Sequence, residues 1–560
     1  MDAPAREPYT HRVSATPTPA PHDLHALLRR YWGYHEFRPL QEKIVLSLLG
    51  GRDACVVMPT GGGKSLCYQL PAATLSAQTV VVVSPLIALM QDQVAQLTQV
   101  GIPAAFLNST LSNDEQSALI RRAREGAYRL LYLSPERLAR QDTIEWLRQV
   151  PISLFAIDEA HCISEWGHEF RPEYRKLASL RVHFPDCPIA AFTASATRHV
   201  RHDIIEQLRL REPDKYIASF HRPNLRYVVK ECDARTQSTL LVRALRAHPT
   251  GSVIVYSPTI VRVAQTVALL ESAGIPAIPY HGKMEARERR ENQERWMSDE
   301  ARVLVGTVAF GLGINKAAVR AVIHLSLPKS IEQYYQEAGR AGRDGLPADC
   351  ILLWQKFDVG LLVHFIQQME DPEEKDRAWK RYHAVRHFVD TPVCRHRQIC
   401  LHFGEIRREN QCNACDVCGA GLDWLDEPVV AERPKRKRKR SASYYAPVPA
   451  PGKQSVILSQ TGPSGLAKNL AVSFSLPALT PAADYPSALF ESLRQWRQKT
   501  AKEQSVPAFV VMHDTTLEEI CRIRPRTLAE LREVHGIGEK KLEMYGKQIL
   551  ETLRNSTSPT

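Results

Sequence analysis

No apolar run in the 560 residues approaches the ~20 needed to span a bilayer, and the N-terminus lacks the apolar core of a secretion signal. Membrane-embedded and exported classes are set aside on that ground, and the expectation is a soluble, intracellular protein. A disulfide framework is excluded too: the twelve cysteines mostly stand singly in apolar, strand-like stretches, as at Cys55 and Cys350. Charge of one sign is scarcer than it looks. The formal net charge is +12, but seven of those positives lie in Arg433–Arg440, and without them the remainder is only +5. Net charge alone therefore argues weakly for a polyanion partner, and the run itself reads equally as a solvated linker.

What is present is apolar material for several cores, 44% of the chain, and length for roughly three or four domains. Residues 1–22 are rich in Pro and Ala and read as a disordered leader.

The chain is organised around Met58–Pro71, MPTGGGKSLCYQLP. The apolar run Cys55–Met58 leads into Pro59-Thr60, three glycines, Lys64-Ser65 and a helix-compatible stretch. Glycines let the backbone wrap so that successive N–H groups face phosphate oxygens, and the following helix N-terminus adds partial positive charge. Lys64 would supply a point charge to the β/γ-phosphates, and the Ser65 hydroxyl one coordination place of Mg²⁺. Met58 stands where the usual pattern opens with glycine, so this is a variant phosphate loop. A ligand-free strand-to-helix turn is the competing reading. Upstream, the helical pattern of Asp23–Leu49 breaks at Trp32-Gly33-Tyr34 and restarts at Phe37-Arg38-Pro39-Leu40-Gln41. The Gln41 amide could meet the donor and acceptor of an adenine edge, an argument resting on its place before the loop.

Beyond the loop, β-branched runs at Thr79–Ser84, Tyr128–Leu133, Leu154–Asp158 and Ile189–Thr193 alternate with helical stretches such as Ile87–Thr98 and Asn113–Glu125. That alternation predicts a buried parallel sheet with right-handed crossovers. Asp158-Glu159-Ala160-His161 closes one of these strands. Paired carboxylates there have a division of labour, one holding Mg²⁺ and the other orienting or deprotonating an attacking water, so the nucleotide should be hydrolysed. The next residues, Cys162–Tyr174 (CISEWGHEFRPEY), break helical periodicity and read as a structured loop. Trp166 and Phe170 there either offer faces for base stacking or pin the loop to the core.

A second alternating set begins near Arg222, with strands at Ser252–Tyr256, Pro276–Tyr280, Ala301–Gly306 and Ala321–Leu325 and helices at Ile260–Ser272 and Lys329–Ala341. It has no phosphate loop of its own. Its last helix is read as carrying Arg340 and Arg343 on one face, from which an arginine could reach across a cleft to the γ-phosphate. Two such domains around one nucleotide would form a motor whose cleft closes on ATP and reopens after hydrolysis.

These segments resemble, in order, the superfamily 2 helicase motifs in their RecQ version: FRPLQ, MPTGGGKS, VVSPLIALMQDQV, LSPERL, DEAHCISEWGHEFRPEY, FTASAT, SFHRPNLRY, TVAFGLGINK and YYQEAGRAGRDG. The likeness covers roughly Leu24–Cys418 and a separate C-terminal piece. It implies ATP-driven 3′→5′ DNA unwinding, with Arg38, Gln41, Thr60, Gly61, Gly62, Gly63, Lys64 and Ser65 binding nucleotide. Lys64, Asp158, Glu159, Gln336, Arg340 and Arg343 would be catalytic, Arg343 as the finger, and Ser65 with Asp158 would hold Mg²⁺. Trp166, Phe170 and Arg171 would couple single-stranded DNA to hydrolysis. Departures are modest: Leu40 replaces a usual Gly, Glu165 a usual Gln and His221 a usual Asp, and YHGKM stands for YHAGL.

The late cysteines Cys394, Cys412, Cys415 and Cys418 suit structural, tetrahedral Zn²⁺. The family pattern starting at Cys394 puts Cys400 at an apolar position. No winged-helix pattern follows; the basic run and the Pro- and Ser-rich stretch after it read as a linker. From Tyr485 helices return and lead to His535-Gly536-Ile537-Gly538-Glu539-Lys540-Lys541, resembling an HRDC domain and also a helix-hairpin-helix tip, where N–H groups can meet a phosphate; a pure protein-contact role is the competing reading.

The expected fold is therefore α/β. It has two tandem RecA-like parallel-sheet domains at 23–218 and 219–355, and a small helical zinc-binding domain at 356–420. A linker at 421–484 and an HRDC-like helical bundle at 485–556 complete it. The expected function is an ATP- and Mg²⁺-dependent 3′→5′ DNA helicase with structural Zn²⁺, acting in recombination, repair and replication. Its substrates would be single-stranded and tailed duplex DNA, with single-strand-binding or recombination proteins as partners and no membrane. It would work in a bacterial cytoplasm at the nucleoid, or in a nucleus if eukaryotic. The alternatives are an ATP-gated DNA-binding or strand-annealing protein and a DEAH-type RNA helicase.

Overall fold

The computed structural model describes residues 21–75, 78–108, 111–167, 169–308, 316–420, 422–426, 486–504, 506 and 508–555. The expected leader (save its last two positions), the 309–315 part of TVAFGLGINK, the basic run and nearly all of the expected linker lie outside them.

The first sheet has seven parallel strands in the order β3-β4-β2-β5-β6-β1-β7. These are β1 (Ala54–Val57), β2 (Thr79–Val83), β3 (Ala104–Leu107), β4 (Leu130–Leu133), β5 (Ile152–Ile157), β6 (Ile189–Thr193) and β7 (Asp214–Ile217). In β2, Val81 and Val83 enter one core and Val80 and Val82 the other, so the all-valine run is buried on both faces. The edge strand β3 buries only alternate residues and β7 fully buries none, which is why their apolar signal is faint. β5, β6 and β1 are neighbours, so the turns at their carboxyl ends share one rim, where such sheets bind ligands.

The second sheet has six parallel strands in the order β10-β11-β9-β12-β13-β8. They are β8 (Leu225–Glu231), β9 (Ser252–Tyr256), β10 (Ala277–Tyr280), β11 (Val303–Gly306), β12 (Val319–His324) and β13 (Ala348–Trp354). One expectation fails here. The helix ends at Ala338, capped by Gly339, so Arg340 and Arg343 do not share a helical face. They lie in the turns that follow, where Gly342 takes φ +53° and an added Cβ would collide with Asn224 and with the Leu346 carbonyl. Two glycines within four residues leave that helix no means to continue.

Three helices follow, Lys356–Gln367, Pro372–Asp390 and Arg395–His402, and then the cysteine loop. That loop runs along the free edge of β8: the Tyr227 N–H donates to the Ala414 carbonyl at 3.1 Å, and Tyr227 and Cys415 form a parallel bridge. An open strand edge is thereby covered. The packed chain continues to Asp426, with Leu422 buried and Trp424 and Leu425 against the second core.

The C-terminal helices Ser487–Glu503, Asp514–Ile523, Leu528–Arg532 and Glu539–Asn555 close on Leu493, Leu517, Ile520, Tyr545 and Ile549. This bundle rests on the first domain through helix α1 (Pro21–Trp32) and the turn after it. Gly536 N–H donates to the Gly33 carbonyl at 3.1 Å, His535 stacks on Tyr34 at 4.6 Å, and Arg29 and Arg30 pair with Glu533 and Glu539. The approach is close enough that a Cβ on Gly33, itself at φ +69°, would sit 2.5 Å from the Ile537 backbone. The HGIG turn is thus spent on protein, not held open for phosphate. On the other side Arg494 donates to the Ser298 carbonyl at 2.7 Å, so the bundle also touches the second domain. Among the described residues no helix is long and apolar enough to cross a membrane.

Candidate nucleotide cleft and cysteine centre

The loop after β1 enters helix α3 (Lys64–Thr74) through two glycines in the left-handed region, Gly61 at φ +83° and Gly63 at φ +82°. The positive φ of Gly63 favours glycine, and a Cβ there would also fall 2.3 Å from the Gln41 amide nitrogen and push that side chain aside. That amide donates to the Gly63 carbonyl at 3.0 Å, while its oxygen accepts from the Arg38 N–H at 2.8 Å. Arg38 also donates to the Gly61 carbonyl. Gln41 is set in place by Leu40, the first cap of helix α2 (Gln41–Leu49), which takes φ +71°. The residue that departs from the family glycine therefore sits in a conformation that disfavours a side chain.

Lys64 donates to the Met58 carbonyl at 3.1 Å and is half-buried; desolvation pulls its pKa down, and the Glu159 and Asp158 carboxylates oppose that. At the end of β5, Asp158 accepts from the Glu159 N–H at 3.0 Å, and Glu159 is held at φ +46°, a strained turn for a non-glycine. Burial, with Glu159 next, pushes the Asp158 carboxyl up to about 7. Two carboxylates beside one ammonium in the cleft are a donor set that suits a divalent cation, and Ser65 lines the same wall.

His161 links this pair to β6, its Nδ1 lying 3.0 Å from Thr193 Oγ1 and 3.3 Å from Glu159. Burial opposes charge on that ring, yet the Cys162 thiol and Glu159 hold its pKa well above the ordinary value. Ser195, two residues on, accepts from the Gln336 amide at 3.0 Å, and so the first domain meets the second. Arg340 and Arg343 stand on the far wall. Burial works first against the Arg343 charge, and then Arg340 and Arg222, so this corner gains from an anion.

The cleft is lined by Arg38, Gln41, Thr60, Gly61, Gly63, Lys64, Ser65, Asp158 and Glu159 from one domain and by Gln336, Arg340 and Arg343 from the other. Gly62 is off its wall. Arg222 was quoted in a motif but given no role: it donates to the Thr60 carbonyl at 3.0 Å and to the Gly342 carbonyl at 2.9 Å, fastening the phosphate loop to the arginine turn. His513, Thr515, Glu519, Arg522 and His535 of the C-terminal bundle complete the lining. No local pattern could have announced them, because they reach the cleft only through docking.

The aromatic loop is anchored in the core at Cys162, Ile163 and Tyr174 and exposes its middle. Trp166 is 43% exposed and meets His199 edge-on at 4.7 Å, and Phe170 is half-buried under Arg175. Arg171 is half-buried, its N–H bonded to the Cys162 carbonyl at 2.9 Å. The sulfurs of Cys394, Cys412, Cys415 and Cys418 lie within 4.8 Å of one another, while Cys400 is fully buried outside the set. Their crowding splits the protons: the hydrogen bond from Cys412 brings Cys415 down to about 5, and the same contact pushes Cys412 up. Four such sulfurs suit a thiophilic cation such as Zn²⁺.

Family models match in chain order: DEAD/DEAH box helicase over 38–203, helicase conserved C-terminal domain over 236–345, RecQ zinc-binding over 356–419 and HRDC domain over 487–553. A curated ATP-dependent DNA helicase RecQ of Bacillus subtilis is 35% identical, over 95% of this chain and 98% of that protein. The chain belongs to the RecQ family. The Haemophilus influenzae RecQ is 34% identical over 94% of this chain and 95% of that protein. Among solved structures, Mss116p bound to single-stranded RNA and AMP-PNP matches with TM-score 0.50 at 16% identity, over 61% of this chain and 76% of that one. That likeness shows the fold of the paired sheets and nothing finer.

Proposed function

We propose that this RecQ-family chain is an ATP-dependent DNA helicase that moves 3′→5′ along single-stranded DNA and opens the duplex ahead, in recombination, repair and replication. The observation that supports it best is the two-walled cleft, in which the Gln336 bond to Ser195 and the Arg222 bonds join the wall bearing Lys64 to the wall bearing Arg343. Gln41 would hold the adenine edge, exchanging its present bond to Gly63 for the base. Lys64 and the loop N–H groups would hold the phosphates. Glu159, kept close to Asp158 by its strained turn, would orient and deprotonate the attacking water, and Arg343 with Arg340 would stabilise charge on the transferred phosphoryl group. Ser65 and Asp158 would hold Mg²⁺, which supplies charge neutralisation when bound. The four cysteines would hold Zn²⁺ in a structural role, since four thiolates leave no open coordination place.

Trp166, Phe170 and Arg171 follow directly on the hydrolytic carboxylates, so movement of the loop on DNA would be felt at Glu159 through His161. A single-turnover assay on 3′-tailed, 5′-tailed and RNA-tailed duplexes tests the whole reading. Unwinding confined to the 3′-tailed DNA is expected. DNA-stimulated ATP hydrolysis with no strand separation would favour the strand-annealing alternative, and preference for the RNA tail the RNA helicase.

A further inference from the structure

The aromatic loop is fastened outside its own domain. Glu165, the residue before Trp166, pairs with Arg175 at 2.8 Å and with Arg377 at 3.5 Å. Arg377 belongs to the long helix Pro372–Asp390 that precedes the cysteine loop. Its guanidinium lies over the Trp166 ring at 5.8 Å, and the Lys380 ammonium, one turn on, lies 5.6 Å from the same ring. The loop and this helix therefore share one surface.

That surface continues past Lys380 as rings. Trp379 stacks on His383 at 5.7 Å with planes 23° apart, and Tyr382 stands edge-on to both, at 5.5 and 5.3 Å. Trp379 and Tyr382 are half-buried and His383 is exposed. An aromatic cluster on the outside of a helix costs solvation unless something covers it. Lys380 stands between it and Trp166, paired at 2.6 Å with the exposed Asp376, a surface ion pair weak enough for a phosphate to displace. Flat faces alternating with positive charges match a single strand, whose bases stack while its phosphates take the cations.

We propose that Trp379, Tyr382 and His383, with Lys380, form a second single-strand contact that continues the path from Trp166. The proposal rests on the reading of Trp166 as a DNA-coupling residue and extends it to a site on the zinc-region helix. Strand leaving Trp166 would pass over Lys380 and lay its next bases on Trp379, and the Glu165–Arg377 pair would hold the two platforms in line.

The experiment uses the full chain and oligothymidylates of increasing length. Trp379→Ala should weaken binding of long oligomers by roughly five- to 150-fold, the equivalent of ~1–3 kcal/mol per stacked base, and leave the shortest bound oligomer unaffected. Trp379→Phe should restore most of the loss, and Lys380→Ala should flatten the salt dependence. Photocrosslinks from iodouracil within long oligomers should map to the 379–383 segment. Wild-type affinity of Trp379→Ala and Lys380→Ala at every length, or crosslinks confined to the two sheet domains, overturns the proposal. Trp166→Ala separates the two levels: if it leaves DNA-stimulated ATP hydrolysis intact, the coupling reading itself fails, and this extension with it. If it abolishes stimulation while both helix variants bind normally, only the extension fails.

Discussion

A Cβ on Gly61 would lie 3.3 Å from Cγ of Arg343: the phosphate loop of one sheet is in contact with the arginine turn of the other. The finger role proposed for Arg343 puts it within reach of a phosphate held by that loop. Arg343→Ala should therefore lower DNA-stimulated ATP turnover by about 10³-fold or more while nucleotide affinity changes far less. Steady-state ATPase assays and titration with a fluorescent nucleotide separate the two quantities. Loss of affinity with turnover intact would remove Arg343 from the finger role.

Gln336 and Ser195 form a single bond between the domains, so their substitutions should not add. Gln336→Ala and Ser195→Ala are each expected to reduce DNA stimulation of ATPase about tenfold, and the double variant should be no worse than either. Additive losses would mean that the two side chains act separately.

Leu40 carries a left-handed backbone just before Gln41. Leu40→Gly should raise stability by up to ~1 kcal/mol, the relief of αL strain less the packing that the leucine side chain makes. Thermal melting of the full chain reads this directly. A clear loss of stability would show that packing, not strain, dominates there.

Docking of the C-terminal bundle should depend on pH in two windows. Burial brings Lys541 down to about 8, and it lies in a small cavity beside Tyr31 and Trp32 of the first domain. Between pH 8 and the ~10.4 of a free lysine the released bundle binds the extra proton, so docking strengthens as pH rises and is flat just below. Burial, with Lys541 and Arg497, pushes His513 down to about 3. Its contribution is full above the ~6.5 of a free histidine and is lost as pH falls below that. Energy transfer between dyes on the first domain and on the bundle follows both limbs, and Lys541→Met should tighten docking at neutral pH and erase the upper one.

Chelation should act beyond the cysteine loop. Because that loop hydrogen-bonds to β8 at Tyr227, stripping the metal is expected to cost several kcal/mol of stability and to expose the strand edge, seen as aggregation on heating. One zinc per chain by elemental analysis, and none in a Cys412→Ser variant, is the accompanying result.

Much of the fold was legible because its signals are local. Val80–Val83 announces a strand buried on both faces, and the glycines at 61–63 announce a wrapped loop before a helix. What was not legible depends on contacts made far along the chain. β3 and β7 are edge strands with one wet face, so their four-residue patterns carry little apolar weight. Arg340 and Arg343 were placed on a helix that two glycines end early. Arg222 needed both walls in place before its two carbonyl partners, Thr60 and Gly342, could be seen. The HGIG turn reads from sequence as either a phosphate or a protein contact, because nothing near it says that Gly33, some five hundred residues earlier, is its partner.

That last contact has a mechanical meaning. The bundle holds Gly33 on the domain of one sheet and Ser298 on the domain of the other. A strut fixed at both ends resists a change in the gap it spans, so closing the cleft would work against one anchorage or the other. The strength of the weaker anchorage, set by Arg494 on the Ser298 carbonyl or by the glycine turn on α1, then becomes a load on the motor. The chain would carry its own brake, and shortening or removing the bundle should change the stepping rate without touching a single group that handles ATP.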